Sequence, residues 1–157
     1  MSKTERSLLV SSRLESYFRD YASSHKTKGN QLTHYFGISF IVVSILGLLG
    51  GITLGENFSG LQYLRCDGGT LLLSIGILLY HFLDWRIAIP FAFVLAGAYF
   101  LGRALPVFVN AGLFVVGWIF QAIGHVVYEK KAPSFFKNVL HLFIGPLWIF
   151  AKVIGYR

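Results

Sequence analysis

Residues 117–133 read GWIFQAIGHVVYEKKAP, the end of a long apolar segment that runs into Glu129, Lys130 and Lys131. At about 100° per residue, Gln121, His125 and Tyr128 fall on one stripe of a helix, with Glu129 at its edge. Traced backward, the stripe takes in Trp118, Phe114 and Asn110, while Ile119, Phe120, Ile123, Val126 and Val127 occupy faces suited to lipid or to other helices. Each unpaired polar group on such a helix costs a few kcal/mol to bury, so a polar stripe marks a candidate functional site. The competing reading is a set of interfacial polar residues where a helix leaves the membrane.

Composition supports the membrane setting. The chain has 157 residues, 55% hydrophobic, 17% aromatic and 13% charged, and its apolar residues come in blocks. This describes an all-α integral membrane protein of one domain, 1–157. The formal charge of +7 does not call for nucleic acid, because basic residues of membrane proteins collect in cytosolic segments. Cys66 is the single cysteine, which excludes an internal disulfide and a thiolate metal cluster. The first apolar block opens near Tyr35 behind a long polar segment, which argues against a cleavable signal peptide.

Working outward, residues 5–24 predict an N-terminal amphipathic helix with Leu14, Tyr17, Phe18, Tyr21 and Ala22 on its apolar stripe. Continuing that stripe reaches His25, which therefore faces the membrane side. Gly29 and Asn30 signal a break, with Asn30 a candidate N-cap and His34 in the first turn of the next helix. A turn between His25 and His34 lets both face one point. Residues 1–34 thus form an amphipathic and linker segment, and spans are expected at 35–54, 70–83, 87–101 and 107–127. Asp84-Trp85-Arg86 reads as the tip of a tight helical hairpin. The last apolar run, 138–154, carries Gly145-Pro146 and predicts a fifth span or a re-entrant helix. The expected fold is an amphipathic helix plus four to five transmembrane helices.

This topology divides the basic residues. Lys3, Arg6, Arg13, Arg19, Lys26, Lys28, Arg86, Lys130, Lys131 and Lys137 share one end; Arg65 and Arg103 fall opposite, joined by Lys152 and Arg157 if the last run crosses. The positive-inside rule puts the N-terminus and the majority end in the cytosol. All five histidines, His25, His34, His81, His125 and His141, land at that end. Clustered imidazoles suit iron, zinc or copper, and a carboxylate often joins them for iron. Glu129 is a candidate for that carboxylate or for a group orienting an imidazole, against a simple ion pair with Lys130 or Lys131. Gln121 is a candidate to hold a water or an oxygen species, against plain interhelix hydrogen bonding. Asp20 and Asp84 read as solvated and His81 as an interface residue; His141 is balanced between ligand and structural roles.

Two blocks carry a resemblance. Tyr21, His25, Asn30 and His34 form the first; Trp118 to His125, then Glu129, Pro133 and Asn138, form the second. Together they resemble the 2-hydroxy fatty acid dioxygenase family of small membrane proteins, long catalogued as a domain of unknown function. The resemblance covers the whole chain in layout. It implies an Fe(II)-dependent enzyme of fatty acid α-oxidation that uses O2 to shorten a long-chain 2-hydroxy fatty acid by one carbon. On it, His25, His34 and His125 are the matched histidines and expected metal ligands; the reading of the residues themselves adds His141 as a candidate ligand and Gln121 and Glu129 as candidate catalytic residues. His141 stands where the fungal enzyme has glutamine, and Asp84-Trp85-Arg86 looks like a bacterial variant. The host is then a bacterial inner membrane or the endoplasmic reticulum. Such a substrate keeps its tail in the lipid bilayer, expected here in a groove between spans one and four, and its 2-hydroxyl and carboxylate offer a bidentate ligand. A histidine-box di-iron enzyme is disfavoured by the small number of histidines. The remaining alternatives are a haem- or zinc-binding membrane protein and a non-enzymatic scaffold or transporter.

Overall fold

The computed structural model describes residues 11–55, 66–132 and 139–156, whose regular structure is helical apart from an isolated bridge between Thr53 and Asp67. Expected features at 5–10, 56–65 and 133–138 lie outside the described residues. Helix α1 spans Ser12–Ser23, α2 Lys28–Leu49, α3 Gly68–Ala104, α4 Val107–Ile123 and α5 Leu140–Val153; a π-helical turn, Gly124–Glu129, prolongs α4.

Three of these helices are long and apolar enough to cross a membrane: α2, α3, and α4 with its π-helical turn. Phe93, 76% exposed, and Phe108, 74% exposed, point outward from them, as lipid-facing side chains do. Helix α3 would be about 55 Å long if straight, far more than a hydrocarbon core of about 30 Å. It is not straight. Asp84 has extended backbone (φ −164°, ψ 106°) inside it, and the two halves fold back on each other. Tyr80 meets Phe91 at 5.2 Å between ring centroids, and Tyr99 donates to Asp67 at 2.7 Å. Asp84 is read in the sequence as solvated; it is buried, because it caps the second half of α3 through Arg86 N–H (3.1 Å) and accepts from Ser11 N–H (2.9 Å) and the Tyr156 hydroxyl (3.1 Å).

The opposite end of the bundle is closed by Asp67. It forms a capping box with Thr70, accepts from Tyr99 and pairs with Arg103 at 2.9 Å; Arg103 also donates to the Gly50 carbonyl. Asn110 donates to the Gly102 carbonyl at 2.8 Å. These bonds satisfy helix-end groups that lipid could not.

Between α2 and α4 the backbones touch. A Cβ on Gly117 would lie 2.8 Å from the Gly37 carbonyl, and one on Gly37 would lie 2.9 Å from the Gly117 carbonyl. Small residues permit this approach, the usual device of helix packing in lipid.

Helices α1 and α5 lie across the histidine end. The apolar stripe of α1 is buried as expected, Leu14 and Tyr21 fully, with Phe18 packed beside them. Both ends of α5 are tied to this same end: His141 to Asp20 at 2.8 Å, and Tyr156, just past its last turn, to Asp84. Helix α5, at 14 residues shorter than the three membrane-length helices, covers this end and reaches into the bundle at Gly145 and Leu147. Lys152 accordingly joins the histidine end, donating to Gln31 at 2.8 Å. Arg103 is the base at the opposite end among the described residues.

Candidate metal centre

Three imidazoles meet where the α1–α2 turn, α2 and the π-helical turn converge. His25, His34 and His125 are each about 2% exposed or less, and one ring nitrogen from each lies within 4.8 Å of the others. Ring centroids are 4.4, 4.9 and 4.7 Å apart for the His25–His34, His25–His125 and His34–His125 pairs.

Local backbone aims the rings. His25 Nδ1 faces the Tyr21 carbonyl at 2.7 Å, and His34 Nδ1 faces the Asn30 carbonyl at 2.9 Å. A carbonyl only accepts, so both Nδ1 atoms carry the proton and both Nε2 atoms present a lone pair. The His34 Nε2 lone pair points at His125 Nε2, 3.2 Å away. His25 Nε2 is buried with no hydrogen-bond partner among the described residues. Burial, opposed by the bond to the Tyr21 carbonyl, pushes the His25 imidazolium down to about 4, so the ring is neutral near pH 7. Tyr21 stacks on it at 4.0 Å and 9°.

The donor set fits a divalent metal. Two nitrogens bound at about 2.1 Å to one ion, at tetrahedral or octahedral angles, are about 3.0–3.4 Å apart. The 3.2 Å between His34 and His125 lies in that range. An ion would also satisfy the orphaned His25 Nε2, which otherwise costs about 1–3 kcal/mol.

Glu129 does not join the three nitrogens. Its Oε1 accepts from Lys26 N–H (2.6 Å), Thr27 N–H (2.8 Å), the Thr27 hydroxyl (3.1 Å) and the Asn30 amide (3.1 Å). It thereby fastens the turn between His25 and His34 to the turn that carries His125. Thr27, not Asn30, is the N-cap of α2, with its side chain accepting from Asn30 N–H; Asn30 is released to serve Glu129 and Ser24. Glu129 is a positioning residue here, and the expected Lys130 or Lys131 partnership gives way to backbone donors.

His141 is also absent from the cluster. Its Nε2 pairs with Asp20 and its ring stands edge-on to Tyr21 at 5.6 Å, so the two ends of the α1–α5 cover hold each other. Asp20 is exposed, in keeping with its solvated reading, and its pairing with His141 is what the sequence reading missed. His81 lies exposed beside Phe82, remote from a paired axial role with His125. Tyr128 is 46% exposed, because the π-helical turn changes the register beyond Gly124 and takes it off the stripe.

Gln121 is buried, and its Nε2 has no partner among the described residues. It lines a cavity of about 260 Å³ shared with His25, His34, His125 and His141. Away from these polar groups and two tyrosines, the walls are apolar and come from α2, both halves of α3, α4 and α5. The cavity is thus polar at one end and greasy along its length.

The Glu129 clamp makes a prediction. Glu129→Ala leaves the Lys26 and Thr27 amides without their acceptor and should weaken divalent-metal binding about 10–100-fold. Glu129→Gln, which keeps an acceptor oxygen, should lose less. Anaerobic titration against a competing chelator measures both, and an alanine variant that binds like wild type would remove the positioning role.

No solved structure matches the chain. The 2-hydroxy-palmitic acid dioxygenase MPO1 of Saccharomyces cerevisiae is 46% identical over 39 residues, covering 24% of this chain and 22% of that relative. That match spans about a fifth of the relative's length. The family model described as 2-hydroxy-palmitic acid dioxygenase Mpo1-like matches residues 11–157, nearly the whole sequence, and the chain belongs to that Mpo1-like family.

Proposed function

We propose that this chain is an Fe(II)-dependent dioxygenase that shortens a long-chain 2-hydroxy fatty acid by one carbon. The observation that carries the reading is the convergence of three buried imidazoles at the polar end of an apolar cavity, inside a bundle with membrane-length helices. Family membership supports the same substrate class.

His25, His34 and His125 would hold the ion through Nε2. Bound there, Fe(II) supplies redox activity and open coordination positions for O2 chemistry. The Tyr21 and Asn30 carbonyls fix the tautomers of His25 and His34 before anything binds. Gln121 Nε2 donates to an oxygen of the substrate head or of O2, a bond that relieves its burial without a partner. The apolar walls take the tail and exclude water. Overall, the 2-hydroxy acid and O2 give the acid one carbon shorter, CO2 and water. Because Arg13, Arg19, Lys26, Lys28, Arg86, Lys130, Lys131 and Lys152 surround the histidine end, that end faces the cytosol.

A second reading rests on the donor set itself, which among the described residues is three nitrogens with no carboxylate and suits zinc equally. Metal analysis of protein purified anaerobically in detergent separates the two. About one iron per chain, with O2-dependent conversion of a 2-hydroxy acid to the next shorter acid, is expected. Zinc in its place, with no oxygen consumed, would turn the site to hydrolytic chemistry. Absence of any metal from such a preparation would leave the scaffold reading.

A further inference from the structure

The cavity does more than accept a tail. We propose that it measures it: Leu46, Leu72 and Phe114 form a floor that sets the longest acyl chain the site takes. The inference rests on the fatty-acid reading above and deepens it.

Depth comes from the helices. Leu46 is twelve residues beyond His34 on α2, and Phe114 is eleven residues before His125 on α4. At 1.5 Å per residue both lie about 16–18 Å below the imidazoles. Carbon–carbon bonds of about 1.5 Å at about 111° advance about 1.25 Å each, so this depth holds about 13–14 bonds. With the carboxylate and C2 held at the imidazoles, the tail ends near about 16 carbons.

Gly76 is the adjustable point. It is buried and lines the cavity, yet a Cβ added to it would meet only Tyr80 Cε2, at 3.8 Å. A buried glycine with open space on its Cβ side faces the cavity itself. It stands four residues, about 6 Å, above Leu72 on the same half of α3. A leucine there would raise the floor by about five carbon–carbon bonds.

Lipid is as apolar as the cavity, so a longer tail gains little by entering until it meets the floor and is then rejected. Affinity from the bilayer or micelle should therefore be nearly flat with length and then fall.

The test is native mass spectrometry of the full chain in detergent, offered an equimolar series of 2-hydroxy acids shorter and longer than about 16 carbons. A parallel series lacks the hydroxyl. Wild type should retain acids up to about 16 carbons and drop by about tenfold beyond, as overfilling a packed space demands. Gly76→Leu should move the cut-off about five carbons shorter, and Phe114→Ala should move it longer. Gly97→Leu, on the exposed face where a Cβ meets nothing within 4 Å, should leave it in place. A wild-type profile with no cut-off overturns the proposal. So does a cut-off that neither Gly76→Leu nor Phe114→Ala moves, and the second variant serves if the first does not fold. Iron content and oxygen uptake on the same preparations judge the dioxygenase separately. A protein without iron that keeps the shifted cut-offs for both series retains the ruler and loses the enzyme.

Discussion

His25→Ala should lose its iron and at least about 10³ of its turnover, while the metal-free protein is no less stable than metal-free wild type to within about 1 kcal/mol. The two halves of this expectation come from one nitrogen. In a structural histidine both ring nitrogens are bonded; here Nδ1 holds the Tyr21 carbonyl and Nε2 is buried with no partner among the described residues. Removing the ring gives up a stacked contact with Tyr21, worth about 0.5–1.5 kcal/mol, and one hydrogen bond of about 1 kcal/mol. It also removes an orphaned polar atom that costs about 1–3 kcal/mol. These nearly cancel.

With metal the balance changes. Fe(II) at 100 times its Kd stabilises wild type by about 2.7 kcal/mol, roughly 5–10 °C in Tm for a chain of this size. The variant should show no such shift. Thermal unfolding followed by fluorescence, with and without Fe(II) under anaerobic conditions, reads both numbers. An iron-dependent shift that survives in His25→Ala would remove this residue from the ligand set. Acid acts on the same ring. Because burial holds the His25 imidazolium at about 4 against an ordinary 6.5, its neutral burial favours the folded state fully above pH 6.5. That contribution is lost as pH falls from 6.5 towards 4.

The convergence of the three imidazoles could be read from the sequence because sidedness is one-dimensional. A break at 24–27 turns His25 and His34 towards one point, and four passes of chain return His125 to the same end. The α1 stripe and the reversal at Asp84 have equally local causes, a 3.6-residue period and a polar cap within an apolar run. What was not legible depends on lateral position. His141 shares the depth of the other histidines but stands on the cover, where Asp20 meets it from α1. Glu129 reads as a ligand or as a group orienting an imidazole one turn past His125; the π-helical turn carries it instead to the amides of Lys26 and Thr27. Backbone amides leave no mark in a sequence pattern, so that partnership had no signal. The glycines had one. Gly37, Gly117 and Gly124 lie on apolar helices where glycine has no local use, and close helix contact is the physical reason for them.

Gly117→Val is expected to cost the site about 100-fold in iron affinity and turnover without touching any ligand. Gly117 is eight residues below His125, about 12 Å along α4. A Cβ there would stand 2.7 Å from Ile41 Cγ1, 2.8 Å from the Gly37 carbonyl and 3.2 Å from Ile41 N. The Ile41 side chain can rotate away; the Gly37 carbonyl and Ile41 amide belong to the α2 backbone and can retreat only if the helix does. His34 rides on α2 and His125 on the continuation of α4, so parting the two helices widens the 3.2 Å between their Nε2 atoms. A site that holds an ion at about 2.1 Å does not tolerate a misplacement of about 1 Å. Gly117→Ala should fall between wild type and valine, because it presents the Cβ but not the branched methyls. Gly112→Val is the control on the same helix, exposed and with nothing within 4 Å of its Cβ, and should bind iron as wild type does. Iron titration of the four proteins, with thermal unfolding alongside, decides the matter. If Gly117→Val keeps full iron affinity, the spacing of the imidazoles is set by the Glu129 clamp alone and not by the contact of the two helices.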